Sequence, residues 1–198
     1  DRAFDAYARC VRVDPSVEHA RTQLEELCGL LDDGLAKLVA IYEDALTRED
    51  LEPRLQYALA YKAAVAYDER LDDASKAAYL YRRALAVEPE NLQVLDALEG
   101  IFTRSEKYAD LVEICRRKAE LATDAEQRIN LQFRIAAVHE EMLANAEEAI
   151  VAYKEVTLQD PQNRRAFKAL DRLYEAQEHW QDLADNLARQ LQLAETRQ

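Results

Sequence analysis

Residues 81–91 read YRRALAVEPEN, and the chain writes this phrase three times. It appears earlier as YARCVRVDPSV over residues 7–17 and later as YKEVTLQDPQN over residues 153–163. Each copy carries an aromatic residue eight positions before a proline and an acidic residue directly before it. A residue that precedes proline avoids helical angles, so each copy reads as the end of one helix, a stop, and the start of the next. Pro15, Pro89 and Pro161 recur at a nearly constant interval. At that offset Ala77 meets Ala3 and Ala149, Tyr81 meets Tyr7 and Tyr153, and Leu98 meets Leu24 and Leu170. Phe102 meets Tyr174, and Tyr108 meets Trp180. Self-similarity at a fixed period marks a stacked repeat architecture.

Composition points the same way. Of 198 residues, 49% are hydrophobic and only three are Gly and four Pro; the abundant Ala, Leu, Glu and Arg lose least on entering a helix. All-α is the fold class this supports. Four helices are predicted per period. In the middle copy they run from about Leu55 to Arg70, then to about Val87, then through Leu92, Leu95, Leu98 and Phe102, and finally from Tyr108 through Ala119. Asp73 is the predicted N-cap of the second helix, and Pro89 is placed in the first turn of the third. The acid before each proline is expected to favour the N-terminal end of the following helix dipole.

With that register in place, the chain resembles the tetratricopeptide repeat family. Leu95, Leu98, Phe102, Tyr108 and Leu111 match its spaced large and small residues in one half of the period. Ala77, Tyr81, Ala84 and Pro89 match the second helix of the other half. Ala149, Tyr153, Pro161, Phe167, Leu170, Tyr174, Trp180 and Leu183 repeat the agreement. The family's glycines are absent, with Glu99 and Asp171 at one such place, and alternate repeats are longer than the family's usual unit. The resemblance implies a right-handed α-solenoid of about eleven antiparallel helices. It is read as one array with a partial unit over 1–49 and full units over 50–122 and 123–198. The chain opens inside a helix and no polar cap follows the amphipathic stripe Trp180, Leu183, Ala184, Leu187 and Leu191. It is therefore expected to be a piece of a longer repeat protein, with end-to-end self-association as the rival account.

The same features bound function. A net charge of −13 disfavours general binding to nucleic acid or anionic membrane, and no apolar run approaches the roughly 20 residues that span a bilayer. Cys10, Cys28 and Cys115 lack CxxC spacing and are expected to be reduced, packed thiols; the expected setting is cytoplasmic. His19, His139 and His179 fall in different repeats without ligand spacing, so no metal is expected. His139 stands where Tyr67 stands one period earlier, which suggests packing or a groove edge. The three glycines are isolated and form no phosphate loop. No cofactor and no catalytic residue is assigned.

A binding face is the remaining candidate. Stacked hairpins present an extended concave surface, and the resemblance implies that the first helix of each hairpin lines it. Subtracting the core stripes leaves Asn130 and Arg134 on one such helix and Arg165, Lys168 and Arg172 on another, where Asp171 and Glu175 offer neighbouring carboxylates. The Lys168–Arg172 pair resembles part of the clamp by which some tetratricopeptide proteins hold a peptide's terminal carboxylate. Asp96 stands where that clamp would have a further lysine. The expectation is a non-catalytic scaffold for a protein or peptide partner of acidic character, with a structural spacer or assembly rod as the alternative.

Overall fold

The computed structural model describes residues 2–195, which gather into two compact units meeting in sequence at Ile101 and Phe102. The first unit holds α1 (Arg2–Val13), α2 (Glu18–Cys28), α3 (Gly34–Ala45), α4 (Pro53–Glu69), α5 (Ala74–Val87) and most of α6 (Leu92–Arg104). The second holds α7 (Tyr108–Leu121), α8 (Ala125–Ala137), a π turn over Val138–Met142, α9 (Ala146–Gln159), α10 (Arg164–Ala176) and α11 (Trp180–Glu195). The described residues thus form eleven α-helices joined by short turns, with no strand.

Within each unit, helices pack on their chain neighbours: α4 on α3 and α5, and α9 on α8 and α10. The α4–α5 hairpin shows why alanine is abundant. Ala60, Ala63 and Ala64 of α4, with Ala77 and Ala84 of α5, are fully buried. Small side chains let the two backbones approach, and the close fit leaves no room for growth. Tyr81 closes the hairpin by meeting Tyr61 edge-on, at 6.0 Å between ring centroids, and Tyr153 meets Phe133 the same way at 5.8 Å. Gly34 is required at the start of α3, where a Cβ would sit 2.0 Å from the carbonyl oxygen of Cys28.

The hairpin turns replace the missing glycines with residues held at positive φ: Asp72 (51°), Glu106 (55°), Ala144 (50°) and Glu178 (59°). Each follows a helix C-terminus, the place where a left-handed residue lets the chain satisfy the last carbonyls. The turns come in two sizes. At Glu106 and Glu178 the amide of the next residue bonds five positions back, Lys107 to Phe102 and His179 to Tyr174. At Asp72 and Ala144 the bond reaches one position further, Asp73 to Tyr67 and Asn145 to His139. Wide and narrow turns alternate along the chain, so that each period holds one of each.

Asp73 caps α5 as predicted, accepting from the Lys76 amide at 3.0 Å. The prolines differ from expectation. Pro15, Pro89 and Pro161 lie in the turns before α2, α6 and α10, and Pro53 is the one at a helix start. The helices after Pro89 and Pro161 begin instead behind asparagine caps, Asn91 accepting from Val94 and Asn163 from Ala166. In two of the three copies the acid before the proline closes the turn. Asp14 accepts from the Ser16 amide at 2.9 Å, and Asp160 from the Gln162 amide at 3.0 Å. A carboxylate two positions before an amide can bond it locally, and that short-range geometry prevails.

Among the cysteines, Cys115 is buried while Cys10 and Cys28 are half-buried, and none is bridged. The last helix carries the uncovered apolar stripe that the sequence predicts. Trp180, Leu187 and Leu191 are exposed, at 59%, 49% and 62%. Contact with α10 is polar instead: Asn186 donates to the Phe167 carbonyl at 3.1 Å and to Asp171 at 2.8 Å, and Gln190 donates to the other Asp171 oxygen at 2.8 Å. Asp171, at a place where the family carries glycine, is used to hold the two helices together.

Candidate functional site

Asn130, Arg134, Arg165, Lys168 and Arg172 all lie in the second unit, on α8 and α10, and all five are exposed. The α10 face is selected by its own core stripe. Ala166, Phe167, Leu170, Leu173 and Tyr174 are buried, which turns positions 165, 168 and 172 outward at helical spacing. On α8 the burial of Ile135 and Ala136 does the same for 130 and 134.

Two of the five reach back to a preceding hairpin. Arg172 grips Glu140 of the π turn through both terminal nitrogens, the longer contact at 3.0 Å. Arg134 donates to Thr103 Oγ1 at 3.1 Å. Lys62 of α4, the counterpart of Arg134 one period earlier, pairs with Glu25 of α2 in the first unit. A cation reaching one hairpin back is therefore a recurring device of this chain. The pairing with Glu140 also holds the Arg172 guanidinium charge more firmly than usual. Sequence reasoning offered Glu175 and Asp171 as its partners; neighbours on one helix are easier to see than a partner on the hairpin before.

Arg165 behaves differently. Its guanidinium lies over the Phe133 ring of α8, 4.4 Å from the centroid, the geometry of a cation–π contact. The far side of that aromatic pair is Tyr153, whose hydroxyl pKa is pushed up by burial and then by Glu140. Lys168 lines a cleft of about 200 Å³ together with Gln162, Arg164, Phe167 and Gln190. Among the described residues, no carboxylate lines that cleft. Phe133 and Glu140 were missed in the sequence. Their signal was the hairpin spacing, since each stands one hairpin before its partner on α10, at the same offset.

A second cluster surrounds His139. This residue is 6% exposed, and neither ring nitrogen has a hydrogen-bond partner. Glu148 of α9 approaches Nε2 at 3.9 Å but is held by Arg116 of α7. Of the two sequence expectations for His139, packing is what the burial supports.

No family model and no curated protein matches the chain. Among solved structures, a crystal structure of MamA is similar at 14% identity and a TM-score of 0.43, covering 83% of this chain and 91% of that one. A second MamA structure, labelled AMB-1, aligns at 20% identity and 0.44, over 88% and 90%. A tetratricopeptide repeat protein from Parabacteroides merdae aligns at 16% and 0.43, over 94% and 69%. The chain's own helices carry the architecture: paired hairpins with alternating wide and narrow turns make it an all-α, tetratricopeptide-like repeat protein.

Proposed function

We propose that the chain is a non-catalytic interaction scaffold whose α8–α10 face takes an acidic peptide segment or a peptide's terminal carboxylate. The observation that carries this reading is the Arg165 guanidinium seated over Phe133. It leaves a flat cationic group facing outward, with its hydrophobic side already desolvated, next to the exposed Lys168. Charge-assisted hydrogen bonds to a carboxylate are the strong ones, and the acidic remainder of the chain would repel peptides that miss the face. Arg172 enters as a conditional member, because Glu140 occupies it until a ligand competes. The three histidines are read as packing and turn residues rather than as a catalytic set, and repeats over 1–49, 50–122 and 123–198 as one array presenting that face.

Fluorescence anisotropy with a labelled acidic peptide tests the reading, comparing a free C-terminus with an amidated one. Saturable binding that weakens with salt and in Arg165→Ala is the expected result; binding indifferent to both removes this face from consideration. The exposed Trp180, Leu187 and Leu191 favour a second reading, assembly of copies through α11. Sedimentation velocity without peptide separates the two: a concentration-dependent species lost in Leu187→Glu supports assembly.

A further inference from the structure

The π turn over Val138–Met142 carries two neighbouring residues with opposite roles. His139 points into the second unit, while Glu140 reaches out to Arg172 on the proposed binding face. We infer that His139 is a proton-operated joint that controls whether Glu140 occupies Arg172, and so regulates the α8–α10 face. The inference rests on the reading of that face given above.

Buried polar atoms are nearly always hydrogen-bonded, and an exception in a well-packed region calls for an explanation. Both imidazole nitrogens of His139 are exceptions. The charged groups around it come from two helices: Arg116 from α7 and Glu148 from α9, paired with each other. From α8 the adjacent buried residues are Ile135 and Ala136, which are apolar. Within the turn itself, Glu140 is committed to Arg172 and Glu141 is exposed.

The first unit provides a control written by the chain itself. Tyr67 stands one period before His139 with the same 6% exposure. Its hydroxyl donates to Glu43 of α3 at 3.2 Å and accepts from Lys76 of α5 at 2.9 Å. Glu43 follows the buried stripe Leu38, Val39, Ile41 and Tyr42 as Arg116 follows Leu111, Val112, Ile114 and Cys115. Lys76 stands third in α5, as Glu148 stands third in α9. The two places are therefore equivalent, with the acid and the base exchanged. In the first unit an acid–aromatic–base triad is fully satisfied. In the second the acid and base close on each other and leave a titratable ring behind them.

Burial, reinforced by Arg116 and only partly opposed by Glu148, holds the His139 pKa below its ordinary value of about 6.5. As pH falls, the unfolded chain therefore takes the proton first. Stability that is full above about pH 6.5 is lost as pH drops through the folded-state value. Protonation makes both nitrogens donors in a pocket whose nearest carboxylate, Glu148, is already engaged. Either Glu148 leaves Arg116 for the imidazolium, or the turn unwinds and carries the ring toward water. The turn also anchors the next helix, since the His139 carbonyl accepts from the amide of Asn145 at 2.8 Å and Asn145 caps α9. The second route moves the π turn and takes Glu140 from Arg172. The freed guanidinium then strengthens the face for carboxylates, which stay ionised well below pH 6.

The test compares wild type with His139→Tyr, which places a hydroxyl between Arg116 and Glu148 and removes the titration. Urea midpoints and affinity for an acidic peptide are measured between about pH 7.5 and about pH 5.5, the range over which histidine charge changes. The expected result is a midpoint that falls with pH in wild type and much less in the variant, with peptide affinity rising only in wild type. Parallel profiles in the two proteins overturn the inference. A ring-proton NMR titration of wild type guards against a variant that fails to fold. His139 titrating at or above the free-imidazole value also overturns the inference. If neither protein binds peptide at any pH while the urea profiles diverge, the binding-face reading falls and takes the coupling with it, and the titration still locates to His139.

Discussion

Tyr67 and His139 stand in the same turn of two different units, equally buried, and meet opposite fates. Around Tyr67 the hydroxyl bridges Glu43 and Lys76, whose own ion pair is long at 4.0 Å. Around His139 the counterparts Arg116 and Glu148 have joined each other, and neither ring nitrogen has a hydrogen-bond partner. The exposed helix faces diverge in the same way. In the first unit Asn91 donates to the Tyr57 hydroxyl at 2.9 Å, and Tyr57 stacks on Tyr61. In the second the aromatic shelf is Phe133, and the residue upon it is Arg165. One repeat backbone therefore carries an aromatic shelf bonded by Asn91 in the first unit and one covered by Arg165 in the second. The difference lies in a few side chains, while the turns, caps and alanine contacts are shared.

The shared part should break first and equally. Ala77 and Ala149 are equivalent and fully buried at helix–helix approaches. Replacing either with tryptophan forces the hairpin apart, and overpacking of this kind costs about 3 kcal/mol. Urea denaturation of Ala77→Trp and Ala149→Trp should show similarly large losses. A loss in one unit alone would mean that the two hairpins are not packed alike.

The faces should separate the units next. Lys168→Ala combined with Arg172→Ala is expected to weaken binding of an acidic peptide by about 2 kcal/mol, with affinity falling steeply as salt rises. Asp96→Ala, at the place of Lys168 in the first unit, should leave affinity nearly unchanged. Titration calorimetry at two salt concentrations decides it; equal effects from both variants would deny that the second unit holds the face.

A smaller contrast tests the buried turn. Tyr67→Phe deletes a hydroxyl bonded on both sides and leaves Lys76 and Glu43 only their own 4.0 Å ion pair, at a cost of about 1 kcal/mol. His139→Phe deletes atoms that have no partner, so it should be neutral or stabilising at neutral pH. Thermal melts of the pair should therefore move in different directions.

Much of this architecture was legible in sequence, for identifiable reasons. The repeat phrase and the Asp73 cap depend on residues within one or two turns of each other, and the alanine contacts recur at the repeat period; local spacing and periodicity record such relations. Proline was misread because a stop and a start are close together there, and the asparagine caps just beyond it set the boundary. The uncovered α11 stripe was legible as amphipathicity with no cap after it, but amphipathicity does not show what covers such a face. Exposure of the five face residues followed from helical phase. Their partners did not, because Glu140, Thr103 and Phe133 come from the preceding hairpin. The inverted charges around His139 become visible only when three helices are laid on their counterparts one period away.

The smallest expected effect concerns the turns themselves. Asp72 and Ala144 are equivalent residues at nearly the same left-handed angle, 51° and 50°. In that region Cβ crowds the following carbonyl, at a cost of roughly 1–2 kcal/mol for an ordinary residue. Glycine has no Cβ and adopts the angle freely, though it gives up more chain entropy on folding. Aspartate tolerates the region better than alanine, because its short polar side chain can bond locally. Ala144→Gly should therefore stabilise the chain by about 0.5–1 kcal/mol, and Asp72→Gly by a few tenths at most. Chemical denaturation resolves the first against wild type. Because the Ala144 turn also positions Asn145 on the His139 carbonyl, relief there should additionally slow amide exchange at the start of α9. A destabilised Ala144→Gly would show that the strained turn is held by its neighbours at no net cost, and that the two wide turns do not share one geometry.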